Sequence, residues 1–581
     1  LMGGRRLGCQ ARLLDDILID IPPESQVYRQ VVRKEVEDCE IVVDPVYQLF
    51  ALQVPEPDMD NPKGDLDRLL DSLYAEWGLE ISDYDPIILE TLRHVLRQEN
   101  WFVTIVLRHR RELIAVWPGL RERLFGIAFD VGSTTVAANL CDLASGETLS
   151  SSSMMNPQIR FGEDLMSRVS YIMMHPDEAG ELTRIIREAV SELILEVAEV
   201  GAVDPFLIVD LVFVANPVMH HILLGLSPVE LGGAPFALTV SNSVDLLARD
   251  LNIANVNVGA RAHVLPCIAG HVGADAAGMV LAEAPQESSV LTLLVDVGTN
   301  AEIVLGNSQR LLACSSPTGP AFEGAQISCG QRAAPGAIER VRVDADTLSA
   351  RFKVIGSEVW SDHPDFDHDV TGICGSGIIE VIAEMYLAGI ITSDGVINGS
   401  LVERCPAIVP EGRTFSFILH DGQIQVRVSQ NDVRQIQLAK AALYAGTKLL
   451  MQHLGVDRVD QIRLAGAFGS QIDVTRAMAI GLIPDCKLTE VSSAGNAAGT
   501  GARIALLNSR ARIEIQNVVR QIEKIETATE ADFQAFFVDA MAFPHGSDSF
   551  PNLFGLFAEP EDTEIATAAS NHRGRRNRRR S

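Results

Sequence analysis

The feature that most constrains the fold is a pair of similar segments, far apart in the chain, that each place Asp-x-Gly and a threonine between two apolar stretches. The first segment, FGIAFDVGSTTVAANLCDLASGE, covers residues 125–147, and the second, LLVDVGTNAEIVLGN, covers residues 293–307. Asp130 and Asp296 hold the same place in the two segments, 166 residues apart. That separation is too long for a solenoid repeat and predicts two related halves of one cleft.

Each segment is typical of a β-hairpin whose first turn binds phosphate. Glycine lets the backbone approach phosphate oxygens, and successive N–H groups and hydroxyls donate hydrogen bonds to them. A carboxylate at the strand end can hold the water shell of Mg²⁺. The turns therefore predict phosphate binding, but they do not indicate hydrolysis.

Three further segments fit the same cleft. Residues 271–283 and 492–509 are rich in small residues and predict two helices that pack closely at a hinge. Residues 462–471 predict a strand that runs into a Gly-Ala-Phe-Gly turn, which suits the close approach of an adenosine. The CGSG sequence at 374–377 opens a helix, and either phosphate binding by its N–H groups or a simple structural turn explains it.

Composition excludes several classes of partner. With 48 Lys and Arg against 77 Asp and Glu, the formal net charge of −29 argues against broad binding of nucleic acid or of an anionic membrane. No apolar run approaches the roughly 20 residues of a membrane helix. The nine cysteines are scattered without the close spacing of a zinc site, which is typical of a reducing cytoplasm.

Two phosphate hairpins, two small-residue helices and an adenosine turn, in this order, resemble the actin, sugar-kinase and heat-shock-chaperone ATPase superfamily. The resemblance implies an α/β fold with two lobes, built from duplicated ribonuclease-H-like halves, that close on Mg-ATP. Two departures are Ala215, where the superfamily has glycine before asparagine, and Ala467, where its kinases and chaperones often have a second glycine.

Other motifs narrow the resemblance to one family, the reductive activators of corrinoid proteins. They are NPQIRFGEDLMSRVSY, ANPVMHHILLGLSPVEL, SPTGPAFEGAQISCGQRAAPGAI, TGICGSGIIEVIAEMYLAGII and NDVRQIQLAKAALYAGTKLL. In that family a plant-type 2Fe-2S cluster passes an electron to cobalt and returns an oxidised Co(II) corrinoid protein to Co(I). Because the step is uphill, it is coupled to ATP. The implied partners are a corrinoid protein of a methyltransferase system and an upstream low-potential electron donor, and the chain could also form a homodimer.

The resemblance assigns roles residue by residue. Asp130 and Asp296 would be the catalytic carboxylates. The implied ATP-binding residues are Gly132, Ser133, Thr134, Thr135, Gly298, Thr299, Asn300, Gly375, Ser376, Gly377, Lys440, Gly466, Ala467, Gly469, Gly495 and Asn496.

Cys9 is the one candidate metal ligand. The sequence RRLGCQARLLDDILIDIP resembles the end of the family's 2Fe-2S domain, in which this cysteine is the fourth cluster ligand. The resemblance thus implies that the other three thiolates belong to a segment before residue 1, so that the cluster exists in the full-length protein only.

These observations predict five regions. Residues 1–20 are the remnant of the 2Fe-2S domain, 21–42 a linker, 43–122 a small α/β middle domain, 123–545 the two-lobed ATPase domain and 546–581 a disordered arginine-rich tail. Two alternatives stay open for the same fold without a redox role. One is a small-molecule kinase, and the other is a chaperone-like ATPase.

Overall fold

The structure is a computed structural model that describes residues 41–60, 62–162, 164–469 and 471–560. Cys9, the predicted cluster-domain remnant at 1–20, most of the predicted linker and the last 21 residues lie outside these ranges. None of the helices in the described ranges combines the length and apolar character that crossing a membrane requires.

The first described unit is a four-stranded sheet with two helices, in the segment predicted to be a small α/β domain. The predicted helix begins at Asp65, as expected, and buries Leu69 and Leu73 against the sheet, whose order is β1-β3-β4-β2. Its elements are β1 (Tyr47–Gln53), α1 (Asp65–Trp77), β2 (Asp83–Tyr84), α2 (Ile88–Gln98), β3 (Phe102–Arg108) and β4 (Glu112–Pro118). The predicted hairpin is confirmed as the antiparallel pair β3 and β4.

The first lobe is a six-stranded sheet in the order β7-β6-β5-β8-β10-β9. Its first three strands are antiparallel, and β8 then runs parallel to β5. Its elements are β5 (Phe125–Val131), β6 (Thr135–Asp142), β7 (Thr148–Met155), α3 (Leu165–Met174), α4 (Ala179–Val200), β8 (Ile208–Ala215), α5 (Pro217–Leu224), β9 (Val244–Leu247), β10 (Arg261–Val264) and α6 (Ala274–Glu283).

The second lobe repeats this arrangement. Its main sheet has the order β21-β20-β11-β12-β13-β22, with β11 to β13 antiparallel and β20 parallel to β11. Its elements are β11 (Thr292–Val297), β12 (Ala301–Gly306), β13 (Leu311–Ser316), β14 (Ala337–Val343), β15 (Ala350–Val354), β16 (Gly372–Ile373), α7 (Gly375–Leu387), β17 (Ile408–Glu411), β18 (Thr414–Asp421), β19 (Gln425–Ser429), α8 (Gln430–Leu454), β20 (Gln461–Ala465), α9 (Gly466–Gly469), α10 (Val474–Ala479), β21 (Val491–Gly495), α11 (Ala497–Leu507), α12 (Ser509–Val519), β22 (Glu523–Lys524), α13 (Phe533–Asp539) and α14 (Pro551–Phe554). Five strands correspond in the two lobes, β7-β6-β5-β8-β10 and β13-β12-β11-β20-β21, and the sixth strand joins at opposite edges; the five shared strands confirm the predicted duplication.

The two predicted small-residue helices cross where both carry glycine. A Cβ atom on Gly501 of α11 would lie 2.0 Å from the carbonyl oxygen of Gly278 of α6, so only glycine permits this separation. The predicted close packing is therefore confirmed, although residues 492–495 of the second segment form the end of β21.

The prediction of a disordered tail from residue 546 is wrong for its first part. Phe550 and Leu553 are buried in the core of the second lobe, and Asp485 accepts hydrogen bonds from the backbone N–H of Asn552 and Leu553. A composition rich in Pro, Ser and Gly suggested disorder, but these two apolar side chains provide enough burial to hold the segment in place.

Candidate functional site

A cleft of about 290 Å³ lies between the two lobes and contains both Asp-x-Gly turns. The N-terminal ends of α7 and α11 also reach it. The predicted residues that line the cleft are Asp130, Gly132, Ser133, Thr134, Thr135, Asp296, Gly298, Thr299, Asn300, Gly375, Ser376, Gly466 and Asn496.

The first turn, between β5 and β6, is fixed by hydrogen bonds within the turn and from two side chains outside it. The Gly132 N–H donates to the Thr135 carbonyl (3.0 Å), and the Asn156 side-chain amide donates to the Gly132 carbonyl (2.8 Å). The buried Arg168 donates to the Ser133 carbonyl. Within the described residues, the backbone N–H groups of Ser133 and Thr134 have no acceptor. The turn therefore presents unused donors to the cleft, as a phosphate loop requires.

The second turn, between β11 and β12, is built in the same way from different residues. The Gly298 N–H donates to the Asn300 carbonyl (3.2 Å), and the Thr318 hydroxyl lies 2.8 Å from the Gly298 carbonyl oxygen. The Thr299 hydroxyl donates to Glu323 (2.6 Å), so this hydroxyl has an acceptor before any ligand binds. In both turns the glycine N–H donates to a carbonyl across the turn, but that carbonyl is three residues later in the first turn and two residues later in the second.

Several carboxylate side chains line the cleft. Besides Asp130 and Asp296, it is lined by Asp275 in the first turn of α6, by Glu302 and by Glu323. Burial, with the charges of Asp296 and Asp130, raises the pKa of Asp275 to about 7. Burial and the neighbouring Asp275 and Asp296 also raise the pKa of Glu302 well above its usual range.

This donor set fits a hydrated divalent cation. Carboxylates whose pKa values are raised by burial and by the charges of their neighbours gain from a bound cation. In the part of the chain that the structure describes, no three His, Cys, Asp or Glu side chains are close enough to hold a metal on their own. The arrangement thus suits Mg²⁺ that keeps waters and takes further oxygens from phosphate.

Gly466 directly follows β20, and its backbone lies close to the Asp296 carboxylate. Its φ is +86°, and a Cβ atom there would lie 2.2 Å from Oδ1 of Asp296. Glycine is required on both counts, because the left-handed region disfavours a side chain and the space is filled by the carboxylate. Gly466 is therefore positioned at the carboxylate cluster.

Two residues predicted to contact the nucleotide, Lys440 and Gly377, are not among those that line the cleft. Lys440 is fully buried on α8, outside the cleft, and its ammonium group donates to the carbonyls of Ala542 and Pro544. Burial lowers its pKa well below the usual range. Gly377 does not line the cleft either. A Cβ atom there would lie 2.3 Å from the Ile338 carbonyl oxygen, so this glycine lets α7 pack on β14.

The remaining predicted glycines lie beside the cleft. Gly469 and Gly495 are not among its lining residues, although Gly495 directly precedes Asn496, the N-cap of α11. Ala467 belongs to α9, and its contact with a nucleotide stays a prediction.

Sequence reasoning missed several residues that line the cleft. Asp275 had a visible signal, because it is the one acid in the early part of a small-residue helix. Asn216 is the N-cap of α5 and accepts from the Met219 N–H (2.9 Å), which a strand followed by Asn-Pro indicates. Three further charged residues line the cleft: Glu302 in β12 of the second hairpin, and Glu323 and Arg332 in the loop between β13 and β14.

The raised pKa of Asp275 predicts a pH-dependent stability without nucleotide. The folded protein binds the proton of the Asp275 carboxyl more tightly than the unfolded chain does, in which an aspartate has a pKa of about 3.9. The stabilisation is thus complete below that value and is lost as pH rises to about 7. We expect Asp275→Asn to raise the free energy of unfolding at pH 7.5, by on the order of 1 kcal/mol, and to change it less at pH 5.

Chemical denaturation of both proteins at the two pH values measures this difference. Asp346→Asn is the matched control, because Asp346 is an exposed carboxylate of the same chain outside the cleft. An equal effect of Asp275→Asn at both pH values would contradict the proton assignment.

The duplicated lobes, the paired turns and the carboxylate cluster define a two-lobed ATPase-type fold of the actin, sugar-kinase and chaperone class. Three family profiles match successive parts of the chain: the RACo linker region (residues 36–123), the RACo middle region (125–287) and the C-terminal domain of RACo, the ASKHA domain (290–554). The segment 43–122, predicted to be a small middle domain, falls in the linker region of this family.

Individual relatives are similar to this chain over most of their length. The chain is 32% identical over 542 residues to the corrinoid activation enzyme RamQ of Eubacterium limosum, covering 91% of this chain and 88% of the relative. It is 23% identical over 472 residues to a Co(II) methylated amine-specific corrinoid protein reductase of Methanosarcina barkeri, covering 76% and 83%. A solved reductive activator for a corrinoid, iron-sulfur protein matches with a TM-score of 0.76 and 30% identity, over 90% of this chain and 85% of that one.

The chain therefore belongs to the reductive activators of corrinoid proteins. This membership confirms the resemblance drawn from the sequence motifs, and it favours the activator over the kinase and chaperone-like alternatives.

Proposed function

We propose that this protein reactivates a corrinoid protein of a methyltransferase system by ATP-dependent, one-electron reduction of Co(II) to Co(I). The observation that carries the proposal is the extent of the likeness to corrinoid activation enzymes, which includes the linker and both lobes. The proposed setting is the reducing cytoplasm, with an upstream low-potential donor as the source of electrons.

The cleft is proposed to hold Mg-ATP. Ser133, Thr134 and Thr299 would donate backbone N–H groups to the phosphates, and Asp130 and Asp296 would hold the water shell of the metal. When bound, the metal would supply positive charge to the carboxylate cluster and to the phosphate oxygens. The raised pKa of Asp275 supports this assignment, because a cation would favour its ionised form.

Helix α11 is a direct connection from this cleft to the start of the described chain. Its N-cap, Asn496, lines the cleft, and its last residue, Leu507, accepts a hydrogen bond from the Asp44 N–H (2.8 Å). The Ser509 N–H donates back to the Asp44 carbonyl (2.7 Å). A nucleotide that moved the lobes would thus move the segment that leads towards Cys9.

We assign Cys9 as a ligand of the 2Fe-2S cluster that passes the electron to cobalt. The nucleotide contributes to this step only if it binds the lobe arrangements unequally, since a ligand can shift an equilibrium by no more than its difference in affinity. The proposed role of ATP is therefore to favour the arrangement that binds the Co(II) corrinoid protein.

A binding experiment tests the coupling. The dissociation constant for a Co(II) corrinoid protein is measured with and without Mg-ATP, and the constant for ATP with and without that partner. Linkage requires the same factor in both directions, and we expect a factor of about 5 or more. Equal affinities with and without nucleotide would contradict the switch.

A further inference from the structure

The lining of the cleft is unbalanced in charge. Five of its side chains are carboxylates, namely Asp130, Asp275, Asp296, Glu302 and Glu323. Among the lining residues within the described ranges, Arg332 is the one with a permanently cationic side chain. A polyphosphate entering this cleft meets one fixed positive charge from the protein.

The backbone beside Arg332 is fixed. The Gln331 N–H donates to the Ile373 carbonyl (2.9 Å), and the Gln331 side-chain amide donates to the Thr371 hydroxyl (2.8 Å). On the other side, Ala333 packs against a small apolar cluster that includes Ile355 and Cys374. The base of the arginine is thus held against the strand that leads into α7.

The guanidinium group itself is unused. No residue that the structure describes forms a hydrogen bond or an ion pair with Arg332, although five carboxylates line the same cleft. An arginine carries five N–H donors in a rigid fork that matches phosphate oxygens. A half-buried fork without an acceptor, on an anchored backbone, is suited to a ligand rather than to the fold.

The start of α7 lies on the same wall. Gly375 and Ser376, in its first turn, line the cleft, and they follow directly on the strand to which Gln331 is bonded. The positive end of a helix and an unused guanidinium therefore come together from the second lobe.

We propose that Arg332 binds the phosphate chain of the nucleotide from the second lobe. The proposal rests on the assigned binding of Mg-ATP and adds to it the residue that neutralises the phosphates where the protein is otherwise acidic. It also gives the second lobe a charged contact with the phosphates, in addition to the N–H group of Thr299. The lobes would close on a bound polyphosphate because both contribute donors to it.

Calorimetric titration with Mg-ATP, Mg-ADP and adenosine tests the assignment. We expect Arg332→Gln to weaken ATP and ADP by at least about ten-fold, as the loss of a charged hydrogen bond implies, and to change adenosine by less than about two-fold. Arg332→Lys should recover part of the loss, because it restores the charge without the fork. Arg413→Gln is the control, since Arg413 is an exposed arginine of the same lobe outside the cleft.

The outcomes separate the two proposals. If the wild-type protein binds no nucleotide, the assigned function fails before Arg332 is tested. If it binds ATP and Arg332→Gln binds it equally well, or if the variant loses adenosine as strongly as ATP, Arg332 does not contact the phosphates and this inference is overturned. The thermal midpoint of Arg332→Gln should match that of the wild type, because no described contact is removed.

Discussion

Replacing Asp296 by asparagine is expected to abolish ATP-dependent reduction of the corrinoid protein. Asp296 lies near the end of β11, lines the cleft and lies against Gly466, the first residue of α9, so an amide fits the same space. The amide keeps the shape but cannot attract a hydrated cation, and the phosphates would then lose their metal. Loss of an electrostatic contact of this kind costs on the order of 100-fold or more in rate.

The measurement is the initial rate of Co(II) loss with saturating ATP and a fixed reductant. Asp421→Asn is the matched control, because Asp421 lies at the end of a strand of the second lobe but is exposed and lies outside the cleft. Reduction by Asp296→Asn at the wild-type rate would refute the assignment of the carboxylate cluster.

Replacing Gly466 by alanine is expected to be the second large effect. The substitution costs about 1–2 kcal/mol for a side chain in the left-handed region, and it also pushes the new methyl group onto the Asp296 carboxylate. Because that carboxylate must move, we expect the affinity for Mg-ATP to fall at least about ten-fold, in addition to the loss of stability.

Gly455→Ala separates the two causes. Gly455, the C-cap of α8, has φ +70°, and a Cβ atom there would have no other atom within 4 Å, so its substitution brings the backbone strain alone. We expect Gly455→Ala to lower the free energy of unfolding by a similar backbone cost and to bind Mg-ATP normally. If both variants bound Mg-ATP equally, contact with Asp296 would not explain the role of Gly466.

The two lobes were predictable because their signals are local. An apolar strand, Asp-x-Gly and a second apolar strand specify a hairpin within about 20 residues, and finding the pattern twice specifies the duplication. The same holds for Asp65 at the start of α1 and for Cys374 as the N-cap of α7. In each case the residues that decide the structure are neighbours in the chain.

The errors arose where distant segments decide the outcome. Lys440 was assigned to the nucleotide by its place on a helix, but residues 542–544, about 100 positions later, cover it with carbonyl groups. In the same way, the first part of the predicted tail packs on the second lobe, because Phe550 and Leu553 are buried in its core. Arg332 reaches the cleft from the loop between β13 and β14, so no local spacing could group it with the phosphate turns.

The Co(II) signal of the corrinoid protein tests ATP-driven reduction most directly. The full-length protein, reconstituted anaerobically with iron and sulfide, is mixed with a Co(II) corrinoid protein and a low-potential reductant, and the electron paramagnetic resonance signal of Co(II) is followed with and without Mg-ATP. We expect the signal to disappear, with formation of Co(I), only when Mg-ATP is present. Reduction at the same rate without nucleotide, or no reduction with it, would contradict an ATP-driven corrinoid activator.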